Sequence, residues 1–451
     1  MTTLNPSMPT VRTPDLTGLL RILQRLFIPL IVIFILWSVG VSSKLISGLV
    51  GETNAPFTRE VLWPALATLT RGLVAALFGL TLINIVLRRG GQEGYAGKAL
   101  IGLFGIMVLW LIAERVYLTT NTTPYPIPLW GLQLANGLVL GSLYALVALG
   151  YTLVYGILLM INFAHGEIMM IGSYFGYFAL QLFRGDPFLF LPRNATYEPG
   201  IIGTFLMMVF IVLIAMGASM ITGLTVERIA YRPLRKAPRL APLISAIGMS
   251  ILLQQIVQRV FGSIQKSFDR PTLLDGSILL DMGDSFNNSK IPISKVGIII
   301  IIASLLLMAA LYVLVRRTKI GRAMRAVAED KDTAALMGAN VDRVIAVTFG
   351  LGAALAGAAG VMWAFYTGQT DPYTGFRPGL KAFTSAVVGG IGNIPGAVFG
   401  GIFLGLVEAL GPFALGIPNE YQDVIAFSLL VLVLIFRPTG ILGEILAEKK
   451  V

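Results

Sequence analysis

Within the segment INFAHGEIMM, residues 161–170, stand three side chains that can exchange protons or hydrogen bonds: Asn162, His165 and Glu167. His165 is the only histidine of the chain, and apolar residues flank the trio for dozens of positions. A histidine and a carboxylate together could do acid–base chemistry. Their spacing argues against it: two residues apart on one helix, they point in different directions. If residues 155–177 form one helix, Asn162, His165, Met169 and Ser173 share a face and Glu167 leaves it. The alternative is a turn at a junction of two helices, with the polar side chains capping helix ends or bonding across helices. An ionised side chain at mid-bilayer costs about 3 kcal/mol or more, so such groups are read as functional unless they lie near the interface. Two readings therefore stand side by side: a structural polar turn, or part of a translocation path or its gate.

The composition fixes the solvent around these residues. Of 451 residues, 56% are hydrophobic and 13% charged, and the mean hydropathy is +0.81. Soluble chains carry about 25% charged residues. Such a chain belongs in a bilayer, which a helix of roughly 20 apolar residues crosses. Charge-poor windows fall at 26–43, 72–87, 99–113, 116–166, 168–183, 199–226, 240–258, 296–315, 344–370, 382–407 and 424–436. They do not alternate as membrane strands would. The expected fold is all-α and polytopic, with roughly eleven spans, ten to twelve being compatible with these windows. A proline-bearing polar stretch, 119–128, puts the start of the fourth helix near Leu129. The first apolar run lacks a convincing cleavage site and reads as a retained span.

The net charge of +11 is concentrated in short connections. Residues 226–240 hold five basic and one acidic residue, 316–343 seven and four, and 88–98 three and one. This is the positive-inside bias of membrane proteins, not a nucleic-acid footprint. It places these three segments and the N-terminus in the cytoplasm, and 44–63, 184–198 and 259–295 outside. Cysteine is absent, which removes disulfides and thiolate chemistry, and one histidine cannot build a histidine metal cluster. No cofactor or metal is expected. Two glycine-rich stretches fail as nucleotide sites. GGQEGYAGKAL (90–100) has the wrong phosphate-loop spacing and Ala99 where a Ser or Thr belongs; GGIGNIPG (389–396) has Pro395 at the third glycine position.

Two further segments carry information. Gly392, Gly396 and Gly400 are four apart, a spacing that lets helices approach closely. With Asn393 and Pro395 they read as helix packing, or as a broken helix lining a path. Such a break would bend window 382–407 or split it. Segment 316–343 reads as two short helices, the second running from Thr333 to Met337, capped by Asp332 and ended by Gly338. Its small residues Ala326, Ala328, Ala334, Ala335 and Gly338 favour a protein groove over lipid, which would select bulkier side chains.

Four long blocks carry a family resemblance: GSLYALVALGYTLVYGILLMINFAHGEIMMIGSY (141–174), VERIAYRPLRKAPRLAPLISAIGMSILLQ (226–254), GRAMRAVAEDKDTAALMGANVDRVIAVTF (321–349) and GLKAFTSAVVGGIGNIPGAVFGGIFLGLVEAL (379–410). With PTGILG (438–443) they resemble the permease subunit of bacterial high-affinity branched-chain amino-acid ABC importers, from about residue 127 to the end. Urea and short-chain amide importers use related permeases. The resemblance implies a non-catalytic subunit in the bacterial inner membrane. Its implied partners are a second homologous permease subunit, two cytoplasmic ABC ATPase subunits and a periplasmic substrate-binding protein. It also implies an ATPase contact within 316–343, at Ala328, Glu329, Asp330, Thr333, Ala334, Ala335 and Gly338. The importer pattern of Glu-Ala-Ala, three residues and Gly is not kept: Thr333 replaces the acid, and Gly338 comes one residue early. Residues 1–126, with about three spans, form an extension outside the resembling core, 127–451. The rival classes are a passive channel, which needs no docking segment, and a membrane-embedded enzyme, which needs a paired acid and base.

Overall fold

In this computed structural model the described residues are 126–184, 200–235, 237–238, 240–281, 290–415, 418–437 and 439–443. The three expected N-terminal spans, the loops 44–63, 88–98 and 184–198, and the C-terminal lysines lie outside or almost wholly outside them. Nearly all described residues belong to one compact unit, 127–411 with 420–451.

Eleven α-helices make up almost all of the described chain: α1 Pro126–Leu158, α2 His165–Arg184, α3 Ile201–Val226, α4 Leu240–Phe261, α5 Lys295–Arg317, α6 Lys319–Glu329, α7 Lys331–Leu336, α8 Val341–Thr367, α9 Phe376–Gly389, α10 Ile394–Leu415 and α11 Gln422–Phe436. Six of the described helices are long and apolar enough to cross a membrane. The protein is an all-α, polytopic membrane protein. The fourth sequence window starts its helix at Pro126, three residues before the expected Leu129, because proline is tolerated in a helix's first turn.

Burial separates the helices into a centre and a shell. The apolar windows of α1 and α8 are 89% and 83% buried, that of α3 only 22%. The outer face of α3 is bulky and apolar, with Ile201, Ile202, Phe205, Leu206 and Leu213 all more than half exposed. In lipid, exposed apolar surface costs nothing, so the drive to pack comes from close van der Waals contact and polar pairing. The centre is accordingly built from small residues. α8 packs on α2 and α3, and a Cβ on Gly357 would meet Ala215 O at 2.6 Å. A Cβ on Gly141 would meet Ile402 Cα at 2.7 Å, so α1 and α10 touch backbone to backbone.

Window 382–407 is divided. α9 ends at Gly389, Gly390 and Gly392 take φ of 111° and 96°, and α10 starts at Ile394. These left-handed angles suit only glycine, so the break is written in the glycines and Pro395. A second departure is the strands in segment 259–295, where none was expected. β2 Ser277–Asp281 pairs antiparallel with β3 Lys290–Ser294, Ile278 facing Ile293; the short β1 Lys266–Ser267 pairs with β4 Gln369–Thr370.

Candidate functional site

The break between α1 and α2 shapes the polar trio. α1 ends at Leu158, Leu159 turns with φ of 56°, and α2 begins at His165. The trio is thus a turn and not one helix face. Asn162 Oδ1 accepts from Ala164 N–H at 3.1 Å and from the Tyr231 hydroxyl at 3.1 Å, closing the turn against the end of α3. Tyr231 reaches it from a π-helical turn, Glu227–Tyr231, that prolongs α3 and redirects its side chains.

His165 and Glu167 part company. The His165 ring lies edge-on to Tyr151, 4.7 Å between centroids, beside Gly150. Glu167 turns to α4, where Gln254 Nε2 donates to Oε1 at 2.7 Å and Ser250 Oγ at 3.3 Å. All three residues of the trio are at most 2% exposed. His165 Nε2, Asn162 Nδ2 and Glu167 Oε2 have no protein partner. The trio joins α1, α2, α3 and α4 through neutral donors, and it provides no His–carboxylate pair for proton transfer. Ser173, on the next turns of α2, shares a 2.6 Å hydrogen bond with Thr370 of β4.

The broken helix is held from a distance. Ile441 N–H donates to Val388 O at 2.8 Å and Leu442 N–H to Gly389 O at 3.0 Å, satisfying carbonyls that the end of α9 leaves open. Asn393 Nδ2 donates to Leu442 O at 2.9 Å, while its Oδ1 accepts from Gly396 N–H at 3.4 Å in the first turn of α10. Gly396 and Gly400 pack α10 against α9: Cβ atoms there would meet Gly389 O at 2.7 Å and Gly389 Cα at 2.9 Å. Gly392 has open space around it. Gly396 and Gly400 thus serve helix packing, while Gly392, Asn393 and Pro395 stand at the break.

Segment 316–343 forms two short helices on the end of α5. Thr318 Oγ1 accepts from Gly321 N–H at 3.0 Å, starting α6, which buries Gly321, Met324 and Val327 and exposes Ala328 and Glu329. The second helix corrects the sequence reading. Asp330, not Asp332, is the cap: its Oδ1 accepts from Asp332 N–H at 3.0 Å and Thr333 N–H at 3.1 Å, and α7 starts at Lys331. An aspartate two residues earlier can reach both free amides, which Asp332, inside the first turn, cannot. Gly338, φ 87°, follows the helix end, and Ala339 N–H closes back on Ala334 O at 3.0 Å. Ala334 is buried; Thr333, Ala335 and Gly338 are exposed. At the apex, Leu336 and Met337 are 89% and 85% exposed. Bulky apolar residues therefore lead this surface, where the sequence reading had stressed small ones.

Next to this apex lies an ion network. Arg235 bridges Glu227 and Asp342, and Arg232 Nη2 lies 2.8 Å from Asp342 Oδ2. Burial, and then the Arg235 charge, lowers the Lys331 ammonium below the usual lysine range, against the opposing pull of Asp332.

A second charged cluster was missed by sequence reasoning. Lys381 Nζ of α9 lies 2.7 Å from Glu408 Oε1 of α10 and 2.6 Å from Asp423 Oδ1 of α11. The Lys381 and Glu408 side chains are 8% and 3% exposed, that of Asp423 39%. The signal was present: Lys381 and Glu408 are the two charges bounding window 382–407. As span boundaries 27 residues apart, however, they carry no one-dimensional sign of their pairing.

The described residues thus form a many-helix membrane body with a broken helix and buried polar clusters. Comparison with known proteins supplies the family. Residues 133–434 match the model of the branched-chain amino acid transport system / permease component family. The high-affinity branched-chain amino acid transport system permease protein BraD of Pseudomonas aeruginosa is 48% identical over 321 residues, 70% of this chain and 97% of that protein. The corresponding LivH protein of Escherichia coli K12 is 45% identical over 320 residues, 70% of this chain and 96% of that protein. LivM of the same organism, also a permease protein of that system, is 32% identical over 156 residues, 34% of this chain and 35% of that protein. No solved structure matches. The chain belongs to the branched-chain amino acid transport permease family.

Proposed function

We propose that this chain is the non-catalytic permease subunit of a binding-protein-dependent ABC importer that moves leucine, isoleucine and valine into the cell. The observation that carries the reading is a match covering nearly the whole length of permease proteins named for that transport. The similarity to LivM supports a second, homologous permease subunit as partner. Two cytoplasmic ATPase subunits and a periplasmic binding protein complete the assembly, in the inner membrane with the N-terminus inside. Residues 1–126 are an accessory module of that assembly.

In this reading the ATPase docks on α6, α7 and the turn that follows. Leu336 and Met337 enter a groove on the ATPase, around the rim formed by Ala328, Glu329, Asp330, Thr333, Ala335 and Gly338, while buried Ala334 anchors α7 to the permease. ATP-driven movement reaches the spans only through a physical contact, and capped short helices transmit it without fraying. The Asn162–His165–Glu167 turn, where four helices meet, is the part of the path that opens or closes. Gly392, Asn393 and Pro395 give the break around which α9 and α10 move.

The test is uptake of radiolabelled leucine by proteoliposomes holding the chain with its co-expressed partners. ATP-dependent uptake, inhibited by isoleucine and valine but not by urea, is expected. Uptake that proceeds without ATP sinks the importer reading in favour of a channel, and inhibition by urea or acetamide alone changes the substrate class. Replacing Leu336 and Met337 by Asp should leave the permease inserted yet abolish ATPase co-purification or ATP-driven uptake. Wild-type uptake in that variant removes the docking role.

A further inference from the structure

We propose that Lys381, Glu408, Asp423 and Tyr144 form a subsite for a primary ammonium group, occupied by the α-ammonium of the amino acid in transit. The inference rests on the cargo reading above and adds to it the residues that hold one end of the cargo.

The charge count comes first. Lys381 is one cation between two carboxylates, Glu408 and Asp423. With both carboxylates ionised, the cluster carries, among the described residues, an excess negative charge, and that charge falls on Asp423, whose side chain is 39% exposed against 3% for Glu408. Lys381 lies two residues beyond Gly379, where a Cβ would meet Gly166 Cα of α2 at 2.7 Å. Glu408 lies three residues beyond Gly405, which packs on Gly141 near the middle of α1. Three residues are about 4.5 Å of helix rise. Lys381 and Glu408 therefore sit inside the helix body, while Asp423, in the first turn of α11, stands at its opening. A second cation beside Asp423 completes the charge balance.

The unused valences say which cation. Glu408 Oε2 is buried and has no hydrogen-bond partner. The Tyr144 hydroxyl, on a side chain only 1% exposed and about one turn along α1 from the Gly141–Gly405 contact, likewise has no hydrogen-bond partner. Asp423 Oδ1 lies 2.6 Å from Lys381 Nζ without closing a hydrogen bond. These are three oxygen acceptors, and a primary ammonium carries three N–H donors. A divalent metal is a poor alternative, because Lys381 already occupies the space between the carboxylates, and the described residues hold no group of three or more metal-ligating side chains. The half-exposed Asp423 side chain gives the ammonium its way in.

The experiment uses the full chain in lipid nanodiscs, followed by thermal unfolding. The probes are isopentylamine, which has the amine without the carboxylate, 4-methylpentanoate, which has the reverse, and potassium chloride at matched ionic strength. A ligand that binds only the folded state raises the melting temperature as its concentration rises. Isopentylamine alone should do so. Asp423→Asn should abolish the shift, and Tyr144→Phe, which removes one acceptor and no charge, should weaken it. If Asp423→Asn does not fold, Tyr144→Phe carries the test alone. Equal shifts with the acid or with potassium chloride overturn the subsite, as does an amine shift that survives in Asp423→Asn or is unchanged in Tyr144→Phe. Leucine uptake by the wild-type assembly tests the cargo separately. A chain that supports leucine uptake without an amine-selective shift loses the subsite only. An amine-selective shift in a chain whose assemblies move no amino acid overturns the cargo reading and, with it, the ammonium's assignment to an amino acid.

Discussion

Two regions of this protein use the same device in different solvents. In each, one cation bridges two carboxylates. Arg235 joins Glu227 and Asp342 at the end of the helix body, and Lys381 joins Glu408 and Asp423 within it. At the first, Arg232 brings a second cation, so two positive charges face two negative ones. Arg232 and Asp342 are about half exposed there, and water screens what is left. At the second, no further cation stands among the described ion pairs, and the groups are mostly buried. The surface network can be a clasp and nothing more. The buried cluster has the same parts without the balance, and that is why it reads as a site.

The comparison breaks most visibly at Lys381. Lys381→Met keeps the length of the side chain and removes its charge, leaving two carboxylates facing each other. Breaking a buried pair by removing one partner costs about 3–5 kcal/mol. A fall of that size in the stability of the detergent-solubilised chain is expected by thermal or denaturant unfolding. Removing Glu408 as well, as Lys381→Met with Glu408→Leu, should recover much of the loss, because the remaining Asp423 is half exposed. A single mutant as stable as the wild type would mean the cluster is solvated and not an interior one.

A middle effect is expected at the turn of the trio, which is buried and held by hydrogen bonds from neutral groups. Asn162→Ala removes the acceptor used by both Ala164 N–H and the Tyr231 hydroxyl. Leaving buried donors unsatisfied costs about 1–3 kcal/mol. Tyr231→Phe removes only the hydroxyl and should cost less than Asn162→Ala. The reverse order, measured by the same unfolding assay, would put the weight of the turn on Tyr231 and not on the asparagine.

What was legible in the sequence follows from what leaves a one-dimensional trace. Helices in lipid are read from runs without charge, and the windows that became α3, α4, α5 and α8 lie within a few residues of the observed ends. Gly392 and Pro395 announced a break because no other residues tolerate or enforce one as well. The sequence also set Glu167 apart from His165 by their two-residue spacing. It could not show what Glu167 binds, since Gln254 lies 87 residues away. Nor could it show that 441–443 closes the end of α9, or that Lys381 meets Glu408 and Asp423, because those partners come from separate helices. The α7 cap was misplaced by two residues, as both Asp330 and Asp332 are good caps and only backbone geometry chooses between them. The hairpin β2–β3 was hidden by its short strands and by its position in a charged, proline-bearing loop.

The smallest effect should come from Arg232. Its guanidinium lies 2.8 Å from Asp342, yet both side chains are about half exposed, and exposed pairs contribute about 0–1 kcal/mol. Arg232→Ala also leaves Asp342 with Arg235, so no charge is stranded. The stability change should sit at or below that scale and shrink as salt is raised, because a Debye length near 10 Å at 0.1 M shortens further. Arg235→Ala is the informative control. Its side chain is 16% exposed and Glu227 only 4%, so removing it strands a buried carboxylate and should cost more, with weaker dependence on salt. If Arg232→Ala and Arg235→Ala were equally mild, the network would be wholly a surface feature. If they were equally severe, Arg232 would be needed to balance the charge there, and the contrast with the Lys381 cluster would rest on charge count more than on solvent.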